Sequence, residues 1–100
     1  MRVVSQRLEG PVTIDESISM RGMITGHATI SAGHFILHGV VTGDLIVKAG
    51  ARATIYGQVY GTVLNDGGQV EIEGSVGALA DTSPLSRTLV SREAVVNGLA

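Results

Sequence analysis

GMITGHATISAGHFILH at residues 22–38, GVVTGDLIVKAGARATIY at 39–56 and GQVYGTVLNDGGQVEIE at 57–73 are successive copies of one unit, and GSVG at 74–77 begins another. Three glycine sets recur every 17 or 18 residues: Gly22, Gly39, Gly57 and Gly74; Gly26, Gly43 and Gly61; and Gly33, Gly50 and Gly68. This period is too short for helix-pair repeats or propeller blades. It suits one coil of a β-solenoid, in which three short strands are joined by turns that require glycine.

Apolar residues alternate with polar ones around these glycines. They form five columns: Ile24, Val41, Val59 and Val76; Ala28, Leu45 and Val63; Ile30 and Val47, continued by Asn65; Ile18, Phe35, Ala53 and Val70; Met20, Leu37, Ile55 and Ile72. Such alternation is typical of strands with one buried face, and column neighbours would stack about 4.8 Å apart. An antiparallel meander would explain the alternation but not three glycine sets in register. We therefore predict an all-β parallel β-solenoid over residues 1–80.

Residues 1–21 look like a degenerate first coil. The segment Gly10–Ile14 aligns with Gly26–Ile30, and Leu8 then falls in the column of Ile24. Val3 and Val4 are predicted to begin a further strand.

Several residues of this first coil affect whether another chain can pair with its exposed strand edge. Pro11 cannot donate a ladder hydrogen bond, so we expect it at a strand start or on an exposed edge. Charges at Glu9, Asp15 and Glu16 would discourage edge-to-edge growth. An uncovered coil from Val3 to Ile18 would instead dimerise or polymerise by β-pairing.

Two later segments carry turn and helix signals. Asn65-Asp66-Gly67-Gly68 is the clearest turn signal, and we expect the coil to bend there. Residues 81–100 form a predicted capping segment, in which Ser83 is a helix N-cap and Pro84 the first helical residue. Leu85, Leu89, Val96 and Leu99 have the spacing of one helical face. The prediction is a short helix, or a helix plus a strand, from Pro84 to Val96 that covers the last coil.

Composition limits the possible functions. The 100 residues are enough for one domain, and the net charge of −2 gives no basic surface for nucleic acid or anionic membrane. The absence of cysteine excludes disulfides and thiolate metal sites. No apolar run has the length of a signal peptide or a membrane span. A cytoplasmic location is therefore the expectation.

The repeated units resemble those of the bactofilins, the bacterial polymer-forming cytoskeletal proteins. The resemblance extends from about Leu8 to Ala80 and is closest in GDLIVKAGARATIYGQVYG, residues 43–61. It implies a right-handed β-helix of triangular section that assembles end to end without nucleotide. It also leaves open a discrete binding role, such as an immunity protein that neutralises a partner toxin.

Few residues suggest chemistry. The three histidines fall in different outward columns: His27 with Asp44 and Thr62, His34 with Ala51 and Gln69, and His38 with Tyr56 and Glu73. A zinc site needs three or four converging ligands, so we expect no metal and no cofactor. An acyltransferase built on hexapeptide repeats is the enzymatic alternative, with one histidine as general base. Nothing selects that histidine, and Thr25 and Thr42 interrupt the hexapeptide pattern, so we predict that the protein is not an enzyme.

Outward apolar columns indicate protein-binding surfaces. The candidate interface residues are Met23, Ile36, Val40, Ile46, Tyr56, Tyr60 and Leu64. Aliphatic side chains stacked in exposed columns can form a continuous binding strip, and tyrosines are enriched in binding hot spots. We therefore predict a bactofilin-like scaffold that contacts proteins, either further copies of itself as a homo-oligomer or a toxin.

Overall fold

The structure is a computed structural model that describes residues 2–81, 86–92 and 94–96. These residues form an all-β protein without a helix. The strands are β1 (Arg2–Val4), β2 (Arg7–Glu9), β3 (Val12–Ile14), β4 (Ile18–Met20), β5 (Met23–Thr25), β6 (Ala28–Ile30), β7 (Gly33–Leu37), β8 (Val40–Val41), β9 (Leu45–Lys48), β10 (Ala51–Ile55), β11 (Gln58–Asp66), β12 (Gln69–Ile72), β13 (Ser75–Asp81), β14 (Arg87–Val90) and β15 (Val95–Val96).

The strands wind into a parallel β-solenoid of about five turns, as the sequence predicts. Side 1 is the sheet β1-β4-β7-β10-β12-β14. A second sheet forms the other two sides: β2, β5, β8, β15 and the first parts of β11 and β13 make side 2. Strands β3, β6, β9 and the last parts of β11 and β13 make side 3. Every pair of these strands is parallel, so the same side of each coil stacks on the coil before it.

The predicted columns are confirmed by the strand register. Val59 pairs with Val41 on one neighbouring coil and with Val76 on the other, and Phe35 pairs with both Ile18 and Ala53. These side chains point inward and form one continuous apolar core. The core is built of aliphatic side chains and a single phenylalanine because a narrow stack leaves little room for larger rings.

The first coil is also confirmed. Leu8 pairs with Ile24, Val12 with Ala28, and Val4 with Met20. Pro11 is exposed and immediately precedes β3. Its missing N–H therefore costs the ladder nothing within the strand.

The first glycine set exists because successive backbones approach closely at one corner. A Cβ atom on Gly57 would overlap the carbonyl oxygen of Gly39, and one on Gly74 would overlap that of Gly57. Neither glycine has a positive φ. Steric exclusion, and not a left-handed backbone, therefore fixes these positions.

The third predicted glycine set is wrong at Gly50. Gly33 pairs with Ala51, not with Gly50. Gly50 lies in the preceding turn with φ of 85°, and a Cβ atom there would meet nothing within 4 Å. The extra residue of the 18-residue unit 39–56 therefore lies in the turn, and the strand register on either side of it is unchanged.

The predicted C-terminal helix is also wrong for the residues that the structure describes. Arg87–Val90 is strand β14, paired with β12, and Val95–Val96 is strand β15, paired with β13. The edge of the preceding coil offers these residues backbone partners, which outweigh the helical spacing of their apolar side chains. The proposed cap at Ser83 and Pro84, and Leu85 and Leu99, lie outside the described residues.

Candidate functional site

The seven predicted interface residues lie on different sides of the solenoid. Ile36 is on side 1, and Met23 pairs with Val40 on side 2, where Tyr60 follows Val59. Ile46 pairs with Leu64 on side 3, and Tyr56 is at the corner between sides 1 and 2. The structure therefore brings together two predicted pairs but does not join all seven into one surface.

The three histidines make separate contacts. His27 Nδ1 accepts a hydrogen bond from the backbone N–H of Asp44 at 3.2 Å. His38 stacks on Tyr56, with ring centroids 5.1 Å apart and planes inclined by 8°. In residues 2–81, 86–92 and 94–96, no three His, Cys, Asp or Glu side chains are grouped so that they could hold a metal.

His34 lies in a polar network on the outer face of side 1. Its column contains Arg52, not Ala51 as predicted, because the extra residue of that unit lies in the turn at Gly50. His34 Nε2 is 2.8 Å from Thr54 Oγ1, and Arg52 pairs with Glu71 beside them. Burial, and next the charge of Arg52, lower the pKa of His34 below its usual 6.5, while Glu71 acts in the opposite direction.

The first coil presents what we call the N-terminal end surface: the free edges of β1, β2 and β3. Each of these strands is paired on one side only within the described residues. Val4, Leu8 and Val12 point into the core there but remain partly exposed. Together with Ile14 and Ile18 they line a cleft that opens at this end.

The last strands present the C-terminal end surface: the free edges of β14 and β15. Within the described residues each is paired on one side only. Leu89 is 68% exposed, Val95 51% and Val90 48%. At the opposite end Val3 is 60% exposed, so the most exposed aliphatic side chains are concentrated at the two ends.

A polar cluster underlies the C-terminal end surface. Asn65 is fully buried, and its Nδ2 donates to the Arg87 carbonyl oxygen and to Thr88 Oγ1, both at 2.9 Å. Its Oδ1 accepts from the Gly68 N–H at 2.9 Å, and Thr88 Oγ1 donates to Asp81 Oδ1 at 2.7 Å. Strand β11 continues through Asn65, and the predicted bend follows at Gly67, where φ is 93°.

Sequence reasoning missed the end residues Val3, Leu89, Val90 and Val95. The repeat itself could have identified them. Continuing the period of 18 from Gln69–Ile72 aligns Arg87–Val90 with β12, which places Leu89 in an outward column on the last described coil. The glycine of the preceding four coils, Gly22, Gly39, Gly57 and Gly74, is absent here: Val95 pairs with Ser75, so Ala94 takes the place after Gly74.

Comparison with known proteins identifies no relative: no family model, curated protein or solved structure matches this chain. No helix able to cross a membrane occurs in the part of the chain that the structure describes. The site must therefore be judged from its geometry. Within the described residues, that geometry offers two sets of singly paired strand edges with exposed apolar side chains, one at each end of the stack. The bactofilin resemblance stays a prediction.

Proposed function

We propose that this protein is a non-enzymatic, bactofilin-like scaffold that self-associates through the ends of its solenoid. The observation that carries the proposal is the concentration, among the residues that the structure describes, of exposed aliphatic side chains and singly paired strands at the two ends. An exposed strand edge is a template for pairing with another chain. Stacking of further coils is also the way in which a solenoid gains stability.

Side 1 of the solenoid differs from the ends in this respect. On side 1, Arg52 pairs with Glu71 and His34 with Thr54, so the outer face of the central coils is occupied by polar contacts. The backbone of β10, the central strand of this side, is paired with β7 on one neighbouring coil and with β12 on the other. Lateral contacts would therefore rely on side chains alone, whereas contacts at the ends would add backbone hydrogen bonds.

The charges of the first coil do not block such growth. Asp15 and Glu16 are exposed in the turn after β3, and Glu9 is the exposed last residue of β2, while Val4, Leu8 and Val12 on the same strand edges point into the core. Arg2 lies 3.8 Å from Glu16 and partly compensates its charge. These charges limit which strand edges of another chain can pair with the first coil. They leave its apolar residues Val4, Leu8 and Val12 available for contact.

The test is the mass of the purified protein, measured by light scattering after size exclusion over a wide range of concentration, with electron microscopy of the most concentrated fraction. The proposal predicts a mass that rises with concentration and particles that lengthen at constant width. A mass of one chain at every concentration would overturn it, and tight binding of one foreign protein by that monomer would favour the immunity role.

A further inference from the structure

We propose that the corner where side 3 turns into side 1 contains a binding site for a phosphate group, formed by Arg52, Gln69 and Arg87. The three residues occupy one column on three successive coils, since Arg52 pairs with Gln69 and Gln69 with Arg87. All three are exposed, so the column points outward. The proposal does not depend on self-association, because it uses side chains of an outer face and no strand edge.

These three side chains border an open cavity of about 280 Å³. Its other residues are Gly50, Ala51, Gly67 and Gly68, which contribute main-chain atoms and one methyl group. A Cβ atom on Gly50 would meet nothing within 4 Å, so the space beside this turn is open. The volume is several times the roughly 30 Å³ that a water molecule occupies in the liquid. The cavity therefore has room for a phosphate group.

Arg87 is the cation of this cavity that has no anionic partner. It belongs to none of the ion pairs that the described residues form. Its backbone, and not its guanidinium, makes the contacts with Gly68 and Asn65. An arginine carries five N–H donors in a planar fork, so a bound phosphate would supply the acceptors that this side chain lacks.

Arg52 contributes a second cation, although it already pairs with Glu71. The contact uses Nη2 of Arg52, and the other N–H groups of the guanidinium remain for a ligand. The charge of Arg52 is also felt beyond the pair. Burial, and next Arg52, lower the pKa of His34, and the effect of Arg52 exceeds the opposing effect of Glu71.

The other charges near this corner are paired or lie outside the cavity. The Asp66 carboxylate is 3.1 Å from Lys48 Nζ. Asp81 borders the neighbouring cleft together with Arg87, and accepts a hydrogen bond from Thr88, but it does not line this cavity. Among the described residues, two guanidinium groups therefore line the cavity and no carboxylate does. This balance favours an anion, although the whole chain has a net charge of −2.

The arrangement of the donors favours a tetrahedral anion. Neighbours in the column are about 4.8 Å apart, so Gln69 lies between two arginines whose Cα atoms are separated by about 10 Å. A phosphate between them can accept from Arg52 on one side, from Arg87 on the other and from the Gln69 amide beneath it. A carboxylate accepts within one plane and would reach fewer of these donors. Arginine forks also match pairs of phosphate oxygens.

Titration of isotope-labelled protein with inorganic phosphate, followed by nuclear magnetic resonance at constant pH and ionic strength, tests the site. We expect saturable shifts at the Gln69 side-chain amide, at the Nε–H groups of Arg52 and Arg87, and at the Gly50 backbone amide. Shifts that grow without saturation, or that are equally large at Arg7 on side 2, would show general screening of charge and overturn the site.

A pair of arginine variants tests whether the cavity is responsible. Arg87→Gln should weaken phosphate binding about tenfold, as expected for the loss of a hydrogen-bonded charge. Arg7→Gln removes the same charge from an exposed position on side 2 and is the matched control. Circular dichroism establishes that both variants are folded. Equal weakening by both would mean that net charge, and not this cavity, governs binding.

Glu71→Gln carries the opposite expectation. It releases Arg52 from its ion pair, so phosphate binding should tighten by about threefold. Glu9→Gln, which is exposed on β2, removes an equal charge far from the column. If Glu71→Gln tightens binding no more than Glu9→Gln, Arg52 takes no part and the proposed site is wrong.

A second probe distinguishes two sources of the phosphate group. β-Glycerophosphate, a phosphate monoester, should shift the same signals if the site takes a phosphate carried by a larger molecule. Binding of inorganic phosphate alone would assign the site to the free ion. Failure of both probes would overturn the proposal and would leave the proposed function untouched, because self-association is tested by mass.

Discussion

The central coils and the end coils use the same columns in different ways. In the centre, Val41 and Val59 are buried between like residues on adjacent coils, and their strands are paired on both sides. At the ends, another inner column, that of Phe35 and Ala53, finishes in Arg2 and Thr88, and the strands are paired on one side within the described residues. The repeat therefore builds a closed apolar stack whose two terminal surfaces differ from each other.

If the proposed self-association holds, this difference means that stability and assembly are encoded in separate residues. Inner columns and glycine corners hold the stack together, whereas Val3 and Leu89 are exposed at its ends, where the proposal places the contacts with other chains. Changes in the centre should affect the free energy of unfolding. Changes at the ends should affect association, with smaller effects on folding.

The largest effect is expected from a charge in the centre. Val59→Asp would place an unpaired carboxylate in a column where the side chain is 2% exposed, at a cost of several kcal/mol. This is comparable with the whole stability of a small domain, about 5–15 kcal/mol, so circular dichroism should show an unfolded chain. Tyr60→Asp, one residue along and 62% exposed, should leave the spectrum unchanged. A folded Val59→Asp protein would contradict the assigned inward face.

The glycine corner should be the next most sensitive feature. Gly57→Ala forces a methyl group against the Gly39 carbonyl oxygen, so two coils must separate, at a cost on the order of 3 kcal/mol. In Gly50→Ala the added methyl group meets no atom within 4 Å, so the only cost is that of placing alanine at a positive φ, about 1 kcal/mol. Urea denaturation of both variants measures the difference. Equal losses would mean that backbone conformation, and not close approach, selects both glycines.

A smaller effect is expected from the polar cluster beneath β14. Asn65→Val would give this column the same residue as Val47 on the preceding coil, but it leaves the Gly68 N–H and the Arg87 carbonyl without this partner. We expect a loss of about 2 kcal/mol, with faster amide exchange in β14 than in β7. Unchanged exchange in β14 would show that Asn65 does not secure the end strand.

The smallest effect concerns pH and His34. Because the folded pKa lies below 6.5, the folded state favours the neutral ring and the unfolded state binds more protons. The contribution of His34 to the free energy of unfolding is therefore complete above about pH 6.5. It is lost as the pH falls from there through the pKa of the folded state. His34→Gln should remove that part of the pH dependence of unfolding. A wild-type stability that rises on acidification through this window, relative to the variant, would contradict the assigned direction.

The sequence was sufficient for the parallel solenoid because several glycine sets in register, together with alternating apolar residues, fit stacked coils and not an antiparallel meander. It failed at Gly50, since a one-residue insertion can be placed on either side of a glycine. It failed at Arg87–Val90 because the apolar spacing there also fits a helix, and only the free edge of β12 decides between them. The exposed residues of β14 were missed for the same reason, because the helical interpretation kept the repeat from being continued beyond Gly77.

One comparison tests the central claim most directly. Leu89→Lys and Tyr60→Lys each replace a large apolar residue of similar exposure, 68% and 62%, the first at an end and the second on a side. Their masses are measured by light scattering beside the wild type at the highest soluble concentration. We predict that Tyr60→Lys associates like the wild type and that Leu89→Lys stays a single chain. Loss of association in Tyr60→Lys alone would show that the sides, and not the ends, carry assembly.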